Sequence, residues 1–503
     1  AKVLFQPSDR VSLLIAGALE NQRSNTGGVS LVQLLPGGPI ARDILPIGAL
    51  DFKQRQIWAK LDVDLGPATL TYLPAYRTYT QSGSAAVGFG PVHLINTAFT
   101  PRNHFHTQEL RLASNEGSAF KWQGGLFYYN NDISNSSTRR FIESGALANG
   151  IVATKKTEDI GAYAEVTAPV SETVRLTGGL RYDVTHVART ETYTANNGVC
   201  CSGPPGTPVF GLPEQLVSLS ISGAAGKRVF RNWTWKARIE GDITPHNLAY
   251  ATVSTAFTPG DVLVSTGAFG IPVATELQPG KNTSFEIGLK NRFFDNQLQI
   301  NGALYYYQYE GFQLLDAAVG SVMSPRHVNL VGTLHTSGAE LEVAWHITPQ
   351  DRFEFNAAYV DAKLVDRSTD LVSYVARERL YGVAPLTMNA SYNHAFEFSG
   401  GSTLDLQAQV IYAGAHDISR ISASYLAAGL LGLVRTDSSL VGNLNVTWMS
   451  ADRNISISAY VHNLGDKRRS TQTELLDLAP GMVAGNVHLS EPMTAGVVVR
   501  FGF

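Results

Sequence analysis

The end of the chain alternates regularly between apolar side chains and small or polar ones. In the last fourteen residues, "SEPMTAGVVVRFGF", the pattern has a period of two. Successive side chains of a β-strand point to opposite faces. The alternation therefore predicts a strand with one apolar face, formed by Met493, Ala495, Val497, Val499, Phe501 and Phe503.

The same period returns along the whole chain. It is clearest in residues 174–182, 298–307, 353–359, 404–412 and 455–462. Such alternation is typical of strands that have one apolar and one polar face. It predicts an all-β protein of about nineteen strands.

Two kinds of connection join the predicted strands. Long connections include those from Asn21 to Lys53 and from Glu191 to Phe230. Short turns at one end and long loops at the other are typical of outer-membrane barrels. The layout predicts a transmembrane antiparallel β-barrel with short periplasmic turns and long extracellular loops. The short turns contain the sequences PSDR, GPA, NEGS, PVSET, TPHN, FDNQ, TPQD, FSGGS and SADR.

A closed barrel suits a bilayer because it pairs every backbone N–H and C=O group without leaving an edge. Its apolar face points to hydrocarbon and its polar face to the lumen. This arrangement accounts for Glu286, Lys290, Glu340 and Glu342, which lie inside alternating runs. A soluble all-β array or propeller also has alternating strands. A propeller would show a repeat of ~40 residues with a fixed signature, and the sequence shows none.

The tryptophans provide an independent indication. Aromatic side chains form girdles at both bilayer interfaces of a barrel and point outward there. Each tryptophan lies near the end of a predicted strand, and by parity all except Trp58 point outward. The six are Trp58, Trp122, Trp233, Trp235, Trp345 and Trp448.

The composition is compatible with a membrane protein and indicates little else. Charged residues make up 16% of the 503 residues and the net charge is -3, against a usual charged share of ~25%. Nothing points to nucleic acid. No run of ~18 apolar residues predicts a transmembrane helix. The longest apolar stretch, Tyr425 to Val434, is too short.

The two cysteines, Cys200 and Cys201, are adjacent. This count excludes a cysteine zinc site and a disulfide framework. We expect a pair in a surface loop, with a strained vicinal disulfide as the alternative. The first residues, "AKVLFQPSDR", contain neither an initiator Met nor a signal peptide.

The sequence contains no catalytic constellation. There is no HExxH, P-loop or G-x-S-x-G pattern, so we expect no enzyme, no catalytic residue and no cofactor. His104 and His106 fall on one face of a strand, where they could bind metal or haem or form an ordinary interfacial pair, and we assign no metal site. His346 and His462 are predicted to line the lumen.

Two apolar stretches fall in predicted outer loops. They are "GVSLVQLL" (28–35) and "YLAAGLLGLV" (425–434). We expect them to pack against neighbouring loops, with short loop helices or contact with a hydrophobic ligand as alternatives. The sequence assigns no ligand-binding residue.

Several stretches resemble the barrel of TonB-dependent outer-membrane receptors. Together they cover nearly the whole chain in the order expected for that family. They are "FHTQELRLASNEG" (Phe105 to Gly117), "LTGGLRYD" (Leu176 to Asp183), "NLAYATVSTAFTPG" (Asn247 to Gly260), the segment from Glu276 to Gln313, "SGAELEVAWHITP", "YVHNLGDK" (Tyr460 to Lys467) and the terminal Phe503.

The resemblance implies a 22-stranded barrel, a preceding plug domain and an energy-coupling motif. Residues 1–503 then correspond to the receptor β-barrel domain, with about nineteen strands. We expect the signal peptide, coupling box, plug and about three strands to be missing from this sequence. A natural barrel with an odd number of strands is the alternative.

The resemblance also implies a function and partners. It predicts a receptor in the outer membrane of a Gram-negative bacterium that imports a scarce nutrient, most often a ferric siderophore. Haem, cobalamin and oligosaccharides are other ligands of the family. The implied partners are TonB with ExbB and ExbD, outer-membrane lipids, and the barrel assembly machinery, which reads Phe503. A passive porin and a non-transporting surface barrel are the alternatives.

Overall fold

The computed structural model describes most of the chain, and nearly all of the described residues are in β-strands. The described ranges are 1–26, 29–33, 41–44, 48–89, 92–118, 120–141, 145–196, 216–266, 272–317, 325–329, 332–365, 379–419, 431–479 and 482–502. Cys200, Cys201 and Phe503 lie outside them.

The strands of the first half of the chain are β1 Lys2–Ser8, β2 Val11–Thr26, β3 Val29–Gln33, β4 Ala41–Ile44, β5 Gly48–Asp64, β6 Ala68–Phe89, β7 Val92–Phe99, β8 Arg102–Ser114, β9 Lys121–Phe141, β10 Leu147–Pro169, β11 Val174–Asn196, β12 Leu216–Ile221, β13 Lys227–Thr244, β14 Asn247–Thr258, β15 Asp261–Thr266 and β16 Pro272–Leu277.

The strands of the second half are β17 Gly280–Phe293, β18 Leu298–Glu310, β19 Gln313–Ala317, β20 Pro325–Asn329, β21 Thr333–His346, β22 Asp351–Val365, β23 Leu386–Glu397, β24 Thr403–Ala413, β25 His416–Asp417, β26 Arg435–Thr436, β27 Ser439–Met449, β28 Ile455–His462, β29 Ser470–Ala479, β30 Met482–Leu489 and β31 Thr494–Phe501. A 3-10 helix covers Gly223–Gly226, and helix α1 covers Leu431–Val434.

Nineteen of these strands form one antiparallel ladder, which confirms the predicted number and direction of the barrel strands. Among the described residues, β1 pairs only with β2, and β31 pairs only with β28. The ladder runs β1–β2–β5–β6–β8–β9–β10–β11–β13–β14–β17–β18–β21–β22–β23–β24–β27–β28–β31.

All nine predicted short turns connect neighbouring strands of this ladder. In the turn between β17 and β18, Phe294, Asp295 and Asn296 have φ values of 53°, 51° and 70°. Asp and Asn tolerate this left-handed region better than most residues. The turn therefore lies where the sequence places it.

Two predicted irregular connections are partly wrong, because strands extend into them. The β2–β5 ladder continues beyond Asn21 and Lys53 to the pair Thr26 and Gly48. Likewise β11 continues beyond Glu191, and β12 pairs with its upper part. In the apolar stretch 28–35, residues 29–33 form β3 rather than a helix, whereas Leu431–Val434 is helical.

The paired register shows which side chains share a face, because residues directly opposite each other point the same way. One such row crosses eight strands on the outside and is almost entirely apolar. Many outward side chains are freely accessible, including Leu126 at 59% and Val497 at 68%. A surface this apolar requires lipid rather than water. The row is Leu13, Leu61, Tyr72, Leu110, Leu126, Ala162, Tyr182 and Trp233.

The predicted orientation of the tryptophans is also confirmed. Trp122, Trp233, Trp235 and Trp345 are exposed on the outer face. Trp448 lies opposite the apolar residues Leu404 and Ile457 and shares their outward face. Trp58 belongs instead to the inward row that contains Ala16, Ala75, Thr107, Tyr129, Asp159 and Thr185.

Strands β10 and β11 each have 23 residues, about twice what a bilayer crossing requires. On the outer face of β10 the side chains are apolar up to Ile160 and polar from Glu158 to Thr154. These strands therefore leave the hydrocarbon near Glu158 and project beyond it on the long-loop side. Within the described residues, no helix has the length and hydropathy needed to cross a membrane.

Candidate ligand-binding lumen

The inner face from β10 to β13 carries a series of ion pairs that join different strands. Arg175 on β11 lies 2.7 Å from Glu240 and 2.6 Å from Asp242, both on β13. On the same wall, Lys236 lies 2.6 Å from Glu165. Arg175 points inward, and its charge is matched by cross-strand partners.

A second charged group lies higher on the same wall. The Asp261 carboxylate is 2.8 Å from both Lys155 and Arg189, and Arg189 is also 2.6 Å from Glu191. Asp261 begins the hairpin β15–β16, so these contacts fasten that hairpin to the inner wall. Asp261 is only 8% exposed, and a buried carboxylate of this kind requires such cationic partners.

The hairpin also has an apolar attachment. Val262 and Val264 are buried against Tyr193, Ala195 and Ile221 of β11 and β12. Its other strand carries Glu276, which lies 2.7 Å from Arg228. The hydrogen bond from Arg228 holds the pKa of Glu276 below its ordinary value.

The hairpin lies beside a second one at the long-loop end of the barrel, which is called the mouth below. Both of its strands contact β20 of the neighbouring hairpin β19–β20. A further apolar cluster lines the mouth on β18, β21 and β22. It contains Leu334, Ala362 and Leu364, packed against Tyr309, Phe312, Val360, Leu380 and Tyr381.

Tyrosines on the inner face lie over glycines of the adjacent strand. Four directly opposed pairs show this arrangement, and a Cβ on any of the four glycines would lie within 3.0 Å of the tyrosine ring or hydroxyl. Because the glycine has no side chain, the ring can lie flat on the wall and leave the lumen open. The pairs are Tyr163–Gly125, Tyr250–Gly288, Tyr305–Gly338 and Tyr460–Gly496.

Two of these tyrosines donate hydrogen bonds to carboxylates on the same face. The Tyr163 hydroxyl lies 2.5 Å from Glu109, and the Tyr250 hydroxyl lies 2.7 Å from Glu286. Arg238 stacks 4.6 Å from the centre of the Tyr250 ring. Glu286, Lys290, Glu340 and Glu342 share this inward face, as predicted.

The wall formed by β24, β27, β28 and β31 has a different character. It contains a cavity of about 250 Å³ lined mainly by amide and hydroxyl groups. Gln409 accepts a hydrogen bond of 2.9 Å from Asn443 there. His462 lines the same cavity and His346 also lies on the inner face, so both predicted lumen positions are confirmed.

His104 and His106 do not belong to the lumen. Both share the outward face of β8; the His104 Nδ1 atom is 2.9 Å from the Thr78 hydroxyl, and the His106 ring is 5.4 Å from Tyr128. Their position fits the interfacial alternative. Across the part of the chain that the structure describes, no group of three or more His, Asp or Glu residues is arranged to hold a metal ion.

Sequence reasoning missed the ion-paired network around Asp261 and the tyrosine–glycine pairs. Alternation indicates the face of each side chain but not its partner on the next strand. The partner depends on register, which is set by turn length and pairing together. The sequence analysis predicts no strand for either half of the hairpin β15–β16.

Together, the apolar outside, the polar interior and the contrast between short turns and long loops define an outer-membrane β-barrel. A family model described as "TonB dependent receptor-like, beta-barrel" matches residues 18–464, and the chain belongs to this family. It is a protein of the Gram-negative outer membrane. The family and the solved structures that resemble it are transport receptors.

Three solved structures illustrate the similarity in fold. The ferric yersiniabactin uptake receptor FyuA from Yersinia pestis has a TM-score of 0.77 and 16% identity, covering 100% of this chain and 70% of that chain. The ferric-catecholate import receptor Fiu from E. coli K12 has a TM-score of 0.66 and 14% identity, covering 100% and 79%. The copper transporter OprC has a TM-score of 0.59 and 14% identity, covering 96% and 83%. A comparison with curated protein sequences gives no match.

Proposed function

We propose that this protein imports a bulky metal chelate, most specifically a ferric siderophore, which binds at the extracellular mouth of the lumen. Transport is driven by TonB acting with ExbB and ExbD. The proposal rests on the arrangement of hairpins and apolar clusters at the mouth. The hairpins β15–β16 and β19–β20 contact each other above a wall that bears two inward apolar clusters.

This mouth suits a large amphipathic ligand better than a small hydrophilic solute. Binding sites for such ligands combine apolar and aromatic surfaces with a few placed polar groups. Tyr309, Phe312 and Tyr381 provide ring surface on one side. Lys155 and Arg189, paired with Asp261, place polar groups on the other, next to the apolar hairpin.

The inner wall below the mouth is suited to the passage of a ligand rather than to a catalysed reaction. Its charges are matched in pairs such as Arg175–Asp242 and Lys236–Glu165. Paired charges attract a passing anion or cation less than free ones do. The flat tyrosine rings keep the path wide, and the amide wall offers weak hydrogen bonds that exchange easily with water.

Uptake in cells tests the proposal. Cells that carry the protein as their sole siderophore receptor are supplied with a panel of ferric siderophores labelled with radioactive iron, with and without TonB. We expect uptake of at least one chelate, abolished when TonB is absent. Uptake that persists without TonB would identify a passive channel, and no uptake of any chelate would leave the surface-barrel alternative.

The ligand itself is sought by affinity capture. The protein is incubated with culture extracts, re-purified and examined by mass spectrometry for bound small molecules. The variant L334D/L364D places two charges in the mouth cluster, and R352M, at the opposite end of the barrel, is the matched control. Capture lost only in L334D/L364D assigns binding to the mouth.

A further inference from the structure

The outer face of the barrel carries a polar row immediately above its apolar band. Directly paired residues follow one another across seven adjacent strands, from β5 to β13. The row is Arg55, Thr78, His104, Asp132, Lys156, Ala188 and Lys227. Its basic members do not face the lumen, so ligand transport does not explain them.

A cavity of about 300 Å³ opens on this outer face. This cavity, called the groove below, is lined by Lys156, Lys227, Thr154, Thr190, Asp132, Ala188, Arg189 and Gly223 of the 3-10 helix. Lys156 and Lys227 lie two strands apart, which at ~4.8 Å per strand separates their backbones by about 10 Å. Two flexible lysine stems can therefore place both ammonium groups on a single phosphate.

The height of this groove matches the outer headgroup region. Lys156 lies thirteen residues above Pro169, the last residue of β10 at the short-turn end. At ~3.3 Å per residue and a tilt of roughly 40°, this corresponds to about 33 Å. The apolar band of such barrels is only about 25 Å tall. The groove therefore opens just beyond the hydrocarbon, on the extracellular side.

The surface below the groove is suited to acyl chains. On β10 the next outward residues toward the membrane, after Glu158, are Ile160 and Ala162, and on β13 they include Trp233 and Trp235. Ile160 and both tryptophans are exposed. A molecule that fills the groove and also covers these side chains must have a polar head and a hydrocarbon tail.

Charge favours an anionic head. Lys156, Lys227 and Arg231 lie on this outer surface, against the carboxylates of Asp132 and Glu158. Glu158 is 3.0 Å from Lys156, and the three cations exceed the two carboxylates by one positive charge. The Thr154 and Thr190 hydroxyls add neutral donors, and ammonium and hydroxyl groups together are typical phosphate ligands.

We propose that this groove binds the phosphorylated headgroup of an outer-leaflet lipid, whose acyl chains lie along Ile160, Trp233 and Trp235. Lys156 and Lys227 contact the phosphate from two sides. The inference does not depend on which ligand is imported, because the groove lies on the opposite face of the sheet from the lumen. The lipid contact would fix the height of β10–β13 in the membrane.

Native mass spectrometry of the detergent-solubilised protein tests the proposal. The probes are a phosphorylated lipid A, the same lipid after removal of its phosphates, and inorganic phosphate. We expect the wild-type protein to bind the phosphorylated lipid at least tenfold more tightly than the dephosphorylated one. The variant K156Q/K227Q should lose about tenfold or more of this affinity.

The control variant K60Q/K290Q removes two lysines from the inner face and should bind like the wild type. Heat-modified electrophoretic mobility verifies that each variant is a folded barrel. Equal affinity of K156Q/K227Q and wild type would overturn the proposal, as would equal affinity for the two lipids, a comparison that needs no variant. Displacement of the lipid by equimolar inorganic phosphate would identify a soluble-anion site and would also overturn it.

Discussion

The ring of Tyr460 lies across Gly496 of the neighbouring strand, and a Cβ built on Gly496 would lie 2.6 Å from the Tyr460 hydroxyl. This contact is possible only because residue 496 has no side chain. Similar pairs recur on the inner wall at Gly125, Gly288 and Gly338. The glycines thus allow the tyrosine rings to lie against the inner wall.

The first prediction concerns this pair. Gly496→Ala should lower the free energy of unfolding by about 1 kcal/mol, because the Tyr460 ring must move off the wall. In a Tyr460→Ala background the same substitution should have almost no effect. Gly178, on the outer face with no atom near its Cβ position, provides the control. Urea unfolding in lipid vesicles measures all of these variants, and an equal loss in both backgrounds would refute the explanation.

The second prediction concerns the attachment of the hairpin β15–β16. Asp261→Asn removes the charge that Lys155 and Arg189 contact. Charge-assisted hydrogen bonds of buried groups contribute ~1–3 kcal/mol, so the amides of Val262 and Val264 should exchange about 5–150 times faster. Hydrogen exchange followed by mass spectrometry measures this local opening.

The matched control lies in the same hairpin. Glu276→Gln breaks a more exposed ion pair with Arg228, and exposed pairs contribute ~1 kcal/mol or less. Its exchange rates should change much less than those of Asp261→Asn. If the two variants behave alike, Asp261 does not anchor the hairpin.

The third prediction concerns Arg175, which holds Glu240 and Asp242 together on β13. Arg175→Met leaves these two carboxylates adjacent without a cation. Allowing for partial exposure, we expect a loss of roughly 1–2 kcal/mol in unfolding free energy. Adding Asp242→Asn should recover part of the loss because it removes the repulsion.

Arg352→Met is the comparison for Arg175. Arg352 pairs with Glu354 on its own strand and at a more exposed position, so its loss should change stability little. Both sets are measured by the urea midpoint of the folded barrel in vesicles. A double variant no more stable than Arg175→Met would exclude carboxylate repulsion as the cause.

The fourth prediction concerns pH and the turn between β27 and β28. The Asp452 carboxylate accepts hydrogen bonds from the Ser450 hydroxyl at 2.5 Å and the Asn454 backbone at 3.1 Å. These donors, Ser450 foremost, hold the pKa of Asp452 below its ordinary value of 3.8. Because the folded pKa is lowered, the stabilisation is present above pH 3.8 and is lost as the pH falls through the folded value.

Hydrogen exchange at the Asn454 amide measures this effect as a protection factor, which corrects for the intrinsic dependence on pH. We expect the factor to be constant from pH 7 to pH 5 and to fall toward pH 2. Asp452→Asn should remove the dependence on pH. A constant factor throughout the range in the wild type would show that the carboxylate does not hold the turn.

Much of the fold could be predicted because hydrophobic alternation and turn residues are local signals. Parity alone predicts that Val499 lies on the lipid face, and the structure places it there, exposed and opposite the exposed Ile457. The turn at Asp295 and Asn296 is predicted from the break between two alternating runs, and both residues adopt a positive φ there. In each case the position of a residue in the sequence is sufficient for the prediction.

The projecting ends of the strands could not be predicted in the same way. Above the hydrocarbon, the outer face of β11 carries Thr190, Thr192 and Thr194, while Tyr193 is buried on the inner side. The apolar and polar faces have exchanged sides, so the rule that identifies a membrane strand no longer applies. The partners of Asp261 could not be predicted either. Lys155 and Arg189 are distant from it in sequence, and only the assembled ladder brings them together.

The projection of β9–β11 has a consequence for attack by enzymes at the cell surface. Proteases bind their targets as extended single segments, and most described residues of these strands are already paired with neighbours on both sides. Cleavage would require the sheet to separate first. We therefore expect this part of the receptor to resist cleavage when intact cells are treated with protease, although it lies well outside the lipid.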